Sequence, residues 1–166
     1  MDLSIKTFVL FGAVIFTGLS AGLFYAWSVS VIPGTQKVSD TTYLEAMQSI
    51  NRAILNPAFF VVFFGSLLFL SVASIAEFHT SRPAFWLMLS ASIIYLVGTL
   101  GVTGLGNVPL NNQLEALNLP ELALEKVNTF RKFYESNWNR LHQIRTLCAI
   151  ASFVLATLAL LVNAKQ

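Results

Sequence analysis

The chain has 166 residues, 55% hydrophobic and only 11% charged, with a formal net charge of +2. A soluble domain carries about 25% charge, so a water-soluble fold is excluded, and the small net charge without any basic run argues against nucleic acid as a partner. One cysteine, Cys148, permits no internal disulfide, and no His/Cys spacing marks a metal site.

The charge is excluded from four windows, 8–32, 58–76, 84–108 and 146–164. A spanning helix needs roughly 20 mostly apolar residues, and each window is near that length. The pattern predicts an all-α fold: a four-helix transmembrane bundle with additional interfacial helices on one side. One integral membrane domain over residues 1–166 is expected, with transmembrane helices at about 8–32, 57–76, 83–106 and 143–164. The expected location is the cell membrane of a bacterium.

Residues 1–7 read as a short polar tail with Asp2 and Lys6. The first window is too long for a signal-peptide core and ends in Trp27, Ser28, Val29 and Ser30, not in a small-residue cleavage site. It is therefore retained as a helix. Gly18 and Gly22 form a small-xxx-small pair that lets another helix approach. Tyr25 and Trp27 suit the membrane interface, and Pro33 with Gly34 is expected to stop the helix.

The connection 35–56 holds a second helix, capped by Asp40 or Thr41 and running to about Leu55. Leu44, Met47, Ile50, Ile54 and Leu55 make its apolar face, beside Gln48, Asn51 and Arg52, as in a surface or re-entrant helix. Asn56 then caps the next helix, with Pro57 as its first residue. A very short connection, 77–82, makes the second and third spans an antiparallel hairpin.

Gly98, Gly101 and Gly104 fall roughly on one side of the third span, where close packing is expected. That span should break at residues 106–112, where Gly and Pro meet three asparagines. Such a break either satisfies its own backbone or lines a cavity. A further helix begins near Pro120, and no later Gly or Pro stops it from running on into the last span. Four crossings put both termini on one side, with Lys6, Arg82 and Lys165. More Lys and Arg lie at the large connections, which favours placing those inside. Along the last helix Glu135, Trp138, His142 and Arg145 share one stripe where water gives way to lipid. Charge there should face protein or a wet cavity.

Three segments carry a resemblance. They are Pro33 and Gly34 followed by Met47, Gln48 and Asn51; the run Asn107, Val108, Pro109, Leu110, Asn111; and Trp138 leading to Arg145 and Thr146. Together with the order of hydrophobic segments, they resemble the anthrone oxygenase family of small integral membrane proteins across nearly the whole chain. Many members carry Asn three residues before the Arg of the R-T pair; here that position is His142, with Asn139 one turn earlier.

The resemblance implies a four-helix membrane protein and, for a few members, oxidation of anthrones to anthraquinones by molecular oxygen without a cofactor. Under that reading His142 is the candidate base and Arg145 a candidate oxyanion stabiliser. Asn107 and Asn111 would orient the substrate, Trp138, Tyr25 and Trp27 would line an aromatic slot, and Asn51 completes the set. No cofactor and no metal is expected. Expected partners are membrane lipid and an aromatic or phenolic small molecule, with a homo-oligomer left open. The alternative is a non-enzymatic protein in which the same polar group is structural and the chain binds a lipid or a partner protein. Transport is disfavoured, because no Asp, Glu, Lys or Arg lies in the middle of a span.

Overall fold

The computed structural model describes residues 5–164. Four helices are long and apolar enough to cross a membrane: α1 (Ile5–Thr35), α3 (Pro57–Glu77), α4 (Arg82–Glu115) and α5 (Leu124–Asn163). A shorter helix, α2 (Asp40–Ala53), joins α1 to α3, and a single 3-10 turn (Leu119–Glu121) precedes α5. No strand occurs among the described residues. Residues 1–4 of the expected polar tail, and Lys165, lie outside the described residues.

The four long helices form a ring in which α1 packs on α3, α3 on α4, α4 on α5, and α5 on α1. Their shared core includes Leu10, Leu70, Met88 and Ala156. Tyr95 crosses the middle of the ring, bonding Ser20 Oγ at 2.8 Å and the Phe63 carbonyl at 3.1 Å. Outward faces carry exposed Leu68, Val97, Leu105 and Leu147, which suit contact with lipid. Both ends of the described chain meet at Glu77, which is fully buried. Lys6 Nζ lies 3.1 Å from it, and the Asn163 amide donates to it at 2.8 Å.

Local signals explain most boundaries. The Asn56 side chain accepts from Phe59 N–H at 3.0 Å with Pro57 in the first turn, the expected start of α3. The cap of α2 is Ser39, which accepts from Thr42 N–H at 3.3 Å, so Asp40 sits one residue inside, in the acidic first turn.

Two expected breaks do not occur. The first long helix passes Pro33 and ends at Thr35, and the third passes Pro109 and ends at Glu115. A proline ring clashes with the carbonyl four residues before it, here Val29 and Leu105. Each of those residues sits in a π-helical turn, Trp27–Val31 and Thr103–Asn107. The wider turn takes the proline without ending the helix.

The glycine expectations hold only in part. A side chain at Gly18 would meet Phe153 of α5 at 3.1 Å, and one at Gly98 would meet Cys148. Nothing lies within 4 Å of Gly22 or Gly104, and Gly101 faces only a carbonyl of its own helix. For Gly101 and Gly104 the reason is another π-helical stretch, Tyr95–Gly101. More residues per turn rotate a spacing of three off a common face. The close approach of α1 and α3 instead uses Gly12 against Phe69 and Gly65 against Phe16, and those two rings stack at 4.8 Å. Gly98→Ala should destabilise the protein by about 1–3 kcal/mol through overpacking, and Cys148→Ala should recover most of it. Thermal midpoints of the two single variants and the double variant test this; additive effects would show that the two positions do not press on each other.

A second core holds α2 and the end of α4 against the first half of α5, through Tyr43, Leu44, Met47, Leu114 and Tyr134. Gln48 donates to the carbonyls of Leu114 and Leu117 at 2.9 and 3.1 Å, closing the end of α4. Arg131, itself buried, ties α5 to the turn before α2. It reaches the Val38 carbonyl at 2.7 Å, the carboxylates of Asp40 and Glu135 at 2.9 and 3.0 Å, and the face of Tyr43.

The Asn128 amide, and beside it Arg131, hold the Asp40 carboxyl below its ordinary value of 3.8, against a smaller opposing effect of burial. A carboxyl with a depressed folded value stabilises the fold above its unfolded value and loses that contribution as pH falls through the folded one. Melting of the wild type and Asp40→Asn should therefore differ at about pH 6 and draw together as pH falls below the ordinary value of 3.8. A gap that widens in acid would contradict the sign.

Candidate functional site

The polar group forms at the seam between the two cores, where α5 passes from one to the other. Tyr134, Trp138, His142 and Arg145 follow one another up one face of that helix and are all buried. The sequence stripe placed Glu135 there; that carboxylate turns instead to Arg131. Tyr134, one turn before Trp138, is the actual fourth member, and the i, i+4 spacing could have identified it.

His142 is fully buried and lies flat on Trp138, with ring centroids 5.1 Å apart and planes 9° apart. Its Nδ1 accepts from Arg145 Nε at 3.1 Å and lies 2.9 Å from a second guanidinium nitrogen. A guanidinium only donates, so the ring is neutral and carries its proton on Nε2. That N–H faces Ser28 Oγ at 3.0 Å, the Phe24 carbonyl at 3.2 Å and Thr146 Oγ1 at 3.3 Å. Both hydroxyl protons are spent elsewhere, Ser28 on the Phe24 carbonyl and Thr146 on the His142 carbonyl. Their lone pairs are thus turned to the ring.

Arg145 is 8% exposed. Its guanidinium lies between the rings of Phe24 and Trp138, 4.8 and 4.9 Å from their centroids. No carboxylate pairs with it among the described residues. It is a buried cation whose neighbours are two aromatic faces and a neutral imidazole.

Beside it opens a cavity of ≈ 540 Å³, a volume suited to a small organic ligand. Arg145, Trp138, Trp27, Asn111 and Asn51 all stand on its wall, as do Phe59, Phe63 and Thr103. Asn111 Oδ1 accepts from both Trp138 Nε1 and the Tyr134 hydroxyl at 3.0 Å, and the Asn51 amide donates to that hydroxyl at 3.2 Å. These bonds fix the indole plane on which Arg145 rests.

The remaining sequence candidates lie off the wall. His142 is behind Arg145 and contributes nothing to the lining. Asn107 is 1% exposed; its amide donates to the Trp138 carbonyl at 3.3 Å, and its Oδ1 has no partner. Tyr25 is 56% exposed and lines no part of the cavity. Arg145 is linked to Asn107 and Asn111 through Trp138, which touches Arg145 with its ring and both asparagines with its polar atoms. Sequence reasoning missed Phe24, Ser28, Phe59 and Phe63. An uninterrupted apolar run gives no sign of which aromatic faces the cavity.

A family model described as anthrone oxygenase matches residues 58–155. The chain belongs to the anthrone oxygenase family. With its four spans, it is an integral membrane protein of that family. The match runs from α3 into the middle of α5, and so includes Asn107, Asn111, Trp138, His142 and Arg145. Trp27 and Asn51, which complete the wall from α1 and α2, lie outside the part matched to the anthrone oxygenase model. No curated protein and no solved structure matches the chain.

Proposed function

We propose that the protein oxidises an enolisable, phenolic aromatic ketone of the anthrone type with molecular oxygen, in the cavity beside Arg145. The observation that carries this reading is the buried guanidinium without a carboxylate partner. A buried charge left uncompensated is costly, and an anion arriving in the cavity would be its counter-ion. Family membership supplies the class of anion, the enolate of an anthrone.

The chemistry is balanced by oxygen alone. Loss of a proton from the carbon between the two aryl rings gives an enolate, whose negative oxygen pairs with Arg145. One electron passes to O2, the carbon radical and superoxide combine, and protonation gives a hydroperoxide. Loss of water then leaves the carbonyl of the quinone, with one atom of O2 in the product and the other in water. The protein's part is to stabilise the enolate electrostatically and to hold it in a dry aromatic slot.

His142 enters this scheme as a positioning residue. Its Nδ1 fixes the edge of the guanidinium that points away from the cavity. Glu115 is the carboxylate on the cavity wall and takes the substrate proton, alone or through water, from beside Arg52. Purified protein given an anthrone should consume oxygen and form quinone in equal amounts. Saturable binding of the anthrone with no oxygen uptake above the spontaneous rate would replace catalysis with simple binding.

A further inference from the structure

The cavity has two rims of opposite character. One is polar: Asn51, Arg52, Asn112 and Glu115, where Arg52 Nε and Glu115 Oε1 meet at 2.8 Å across the gap between α2 and α4. The other lies between the first turns of α3 and the π-helical part of α4. Phe60, Phe64, Gly104 and Val108 form it, and all four are exposed outward as well as lining the cavity. α3 packs along the first half of α4, Arg82–Ile94, and only lightly on Tyr95–Gly101. Beyond that point the two helices part. Nothing lies within 4 Å of the position a side chain would take at Gly104, so the parting is an open slot.

Both helices at the slot are membrane spans, and its rim carries no charge. A slot of that kind faces hydrocarbon. We propose that the ligand is a membrane-dissolved weak acid that enters sideways from the bilayer, through the slot between α3 and α4 with Gly104 as its threshold, and ionises when the oxygen that takes up its negative charge reaches Arg145. The neutral form crosses the apolar rim, the four phenylalanines at the start of α3 pass its aromatic body inward, and the proton leaves through the polar rim. The Arg52–Glu115 pair closes that rim to solutes from water. The inference rests on the reading of the cavity as a site for a phenolic lipophile, and binding tests it without any need for oxidation.

The full-length protein in lipid nanodiscs, with Trp86→Phe to silence the exposed indole remote from the site, reports occupancy through Trp27 and Trp138. Pentabromophenol, a lipid-soluble weak acid and heavy-atom quencher, should quench saturably; its methyl ether, which cannot ionise, should not. Gly104→Phe should slow the quenching by pentabromophenol about tenfold or more, since the side chain has open space to occupy and stands in the slot. The water-soluble 3,5-dibromo-4-hydroxybenzenesulfonate should quench little until Glu115→Gln loosens the polar rim.

An unchanged rate in Gly104→Phe, or equal quenching by the sulfonate in the wild type, overturns lateral entry while leaving the cavity as a phenol site. Absence of saturable quenching by pentabromophenol overturns both. As a second check, Gly104→Cys with Cys148→Ala should react faster with lipid-soluble N-phenylmaleimide than with a charged methanethiosulfonate, and pentabromophenol should protect it. The reverse order would place the slot in water.

Discussion

Replacing Arg145 with methionine should lower anthrone turnover by about 100- to 1000-fold, the usual effect of removing one oxyanion stabiliser, with little change in thermal midpoint. Two terms act on stability and oppose each other. His142 Nδ1 loses its donor, which costs about 1–3 kcal/mol if the atom stays unpaired. Against that, an unpaired charge no longer has to be buried between Phe24 and Trp138, and substituting a well-packed apolar group for buried charge is often neutral or stabilising. Lysine should restore only part of the activity, because one ammonium cannot both hold Nδ1 along an edge and face the cavity. Oxygen uptake and melting in the same detergent decide the matter. Wild-type turnover in Arg145→Met would end the electrostatic reading, and a collapsed fold would make the residue structural.

Arg131→Met should lower stability by about 1–3 kcal/mol, the cost of leaving buried acceptors without their donor. The substitution frees two carboxylates, Asp40 and Glu135. It also strips donors from the carbonyls of Thr35, Gln36 and Val38. Those carbonyls form the turn that sets α2 on α5, so the turn should open and trypsin should cut at Lys37. A melting curve and a timed digestion give the result directly. If neither changes, the turn is held by the Tyr43 core and the arginine is incidental.

These two arginines show what the sequence could and could not disclose. The spans were legible because charge exclusion depends on composition alone; no contact has to be known to read 8–32 or 146–164 as membrane segments. The start of α3 was legible because Asn56 and Pro57 act on their own backbone. The stripe of Trp138, His142 and Arg145 was legible because α5 is an uninterrupted helix with a constant turn. Where the turn widens, the phase is lost. Gly101 and Gly104 rotate off the packed face, and Pro33 and Pro109 pass without a break. Arg131 and Arg145 look alike in sequence, two arginines on one uninterrupted helix. Only the fold shows that Glu135 neutralises the first and that no carboxylate among the described residues neutralises the second. The outline of the cavity was not legible, because Phe59, Phe60, Phe63 and Phe64 line it from within an apolar span whose sequence does not mark one face from another.

One further consequence follows from the length of α5. At 40 residues and 1.5 Å per residue it is about 60 Å long, twice the roughly 30 Å of a bilayer's hydrocarbon. It is therefore a single rod rooted in lipid and standing well clear of it. The Tyr43 core outside and the Leu70 core inside share this rod, so neither can shed its packing without loosening the other, and unfolding should be one event. Tilting the rod to suit a thinner bilayer swings its outer half against α2. The cavity sits at the fulcrum, so its width is tied to the thickness of the membrane around it.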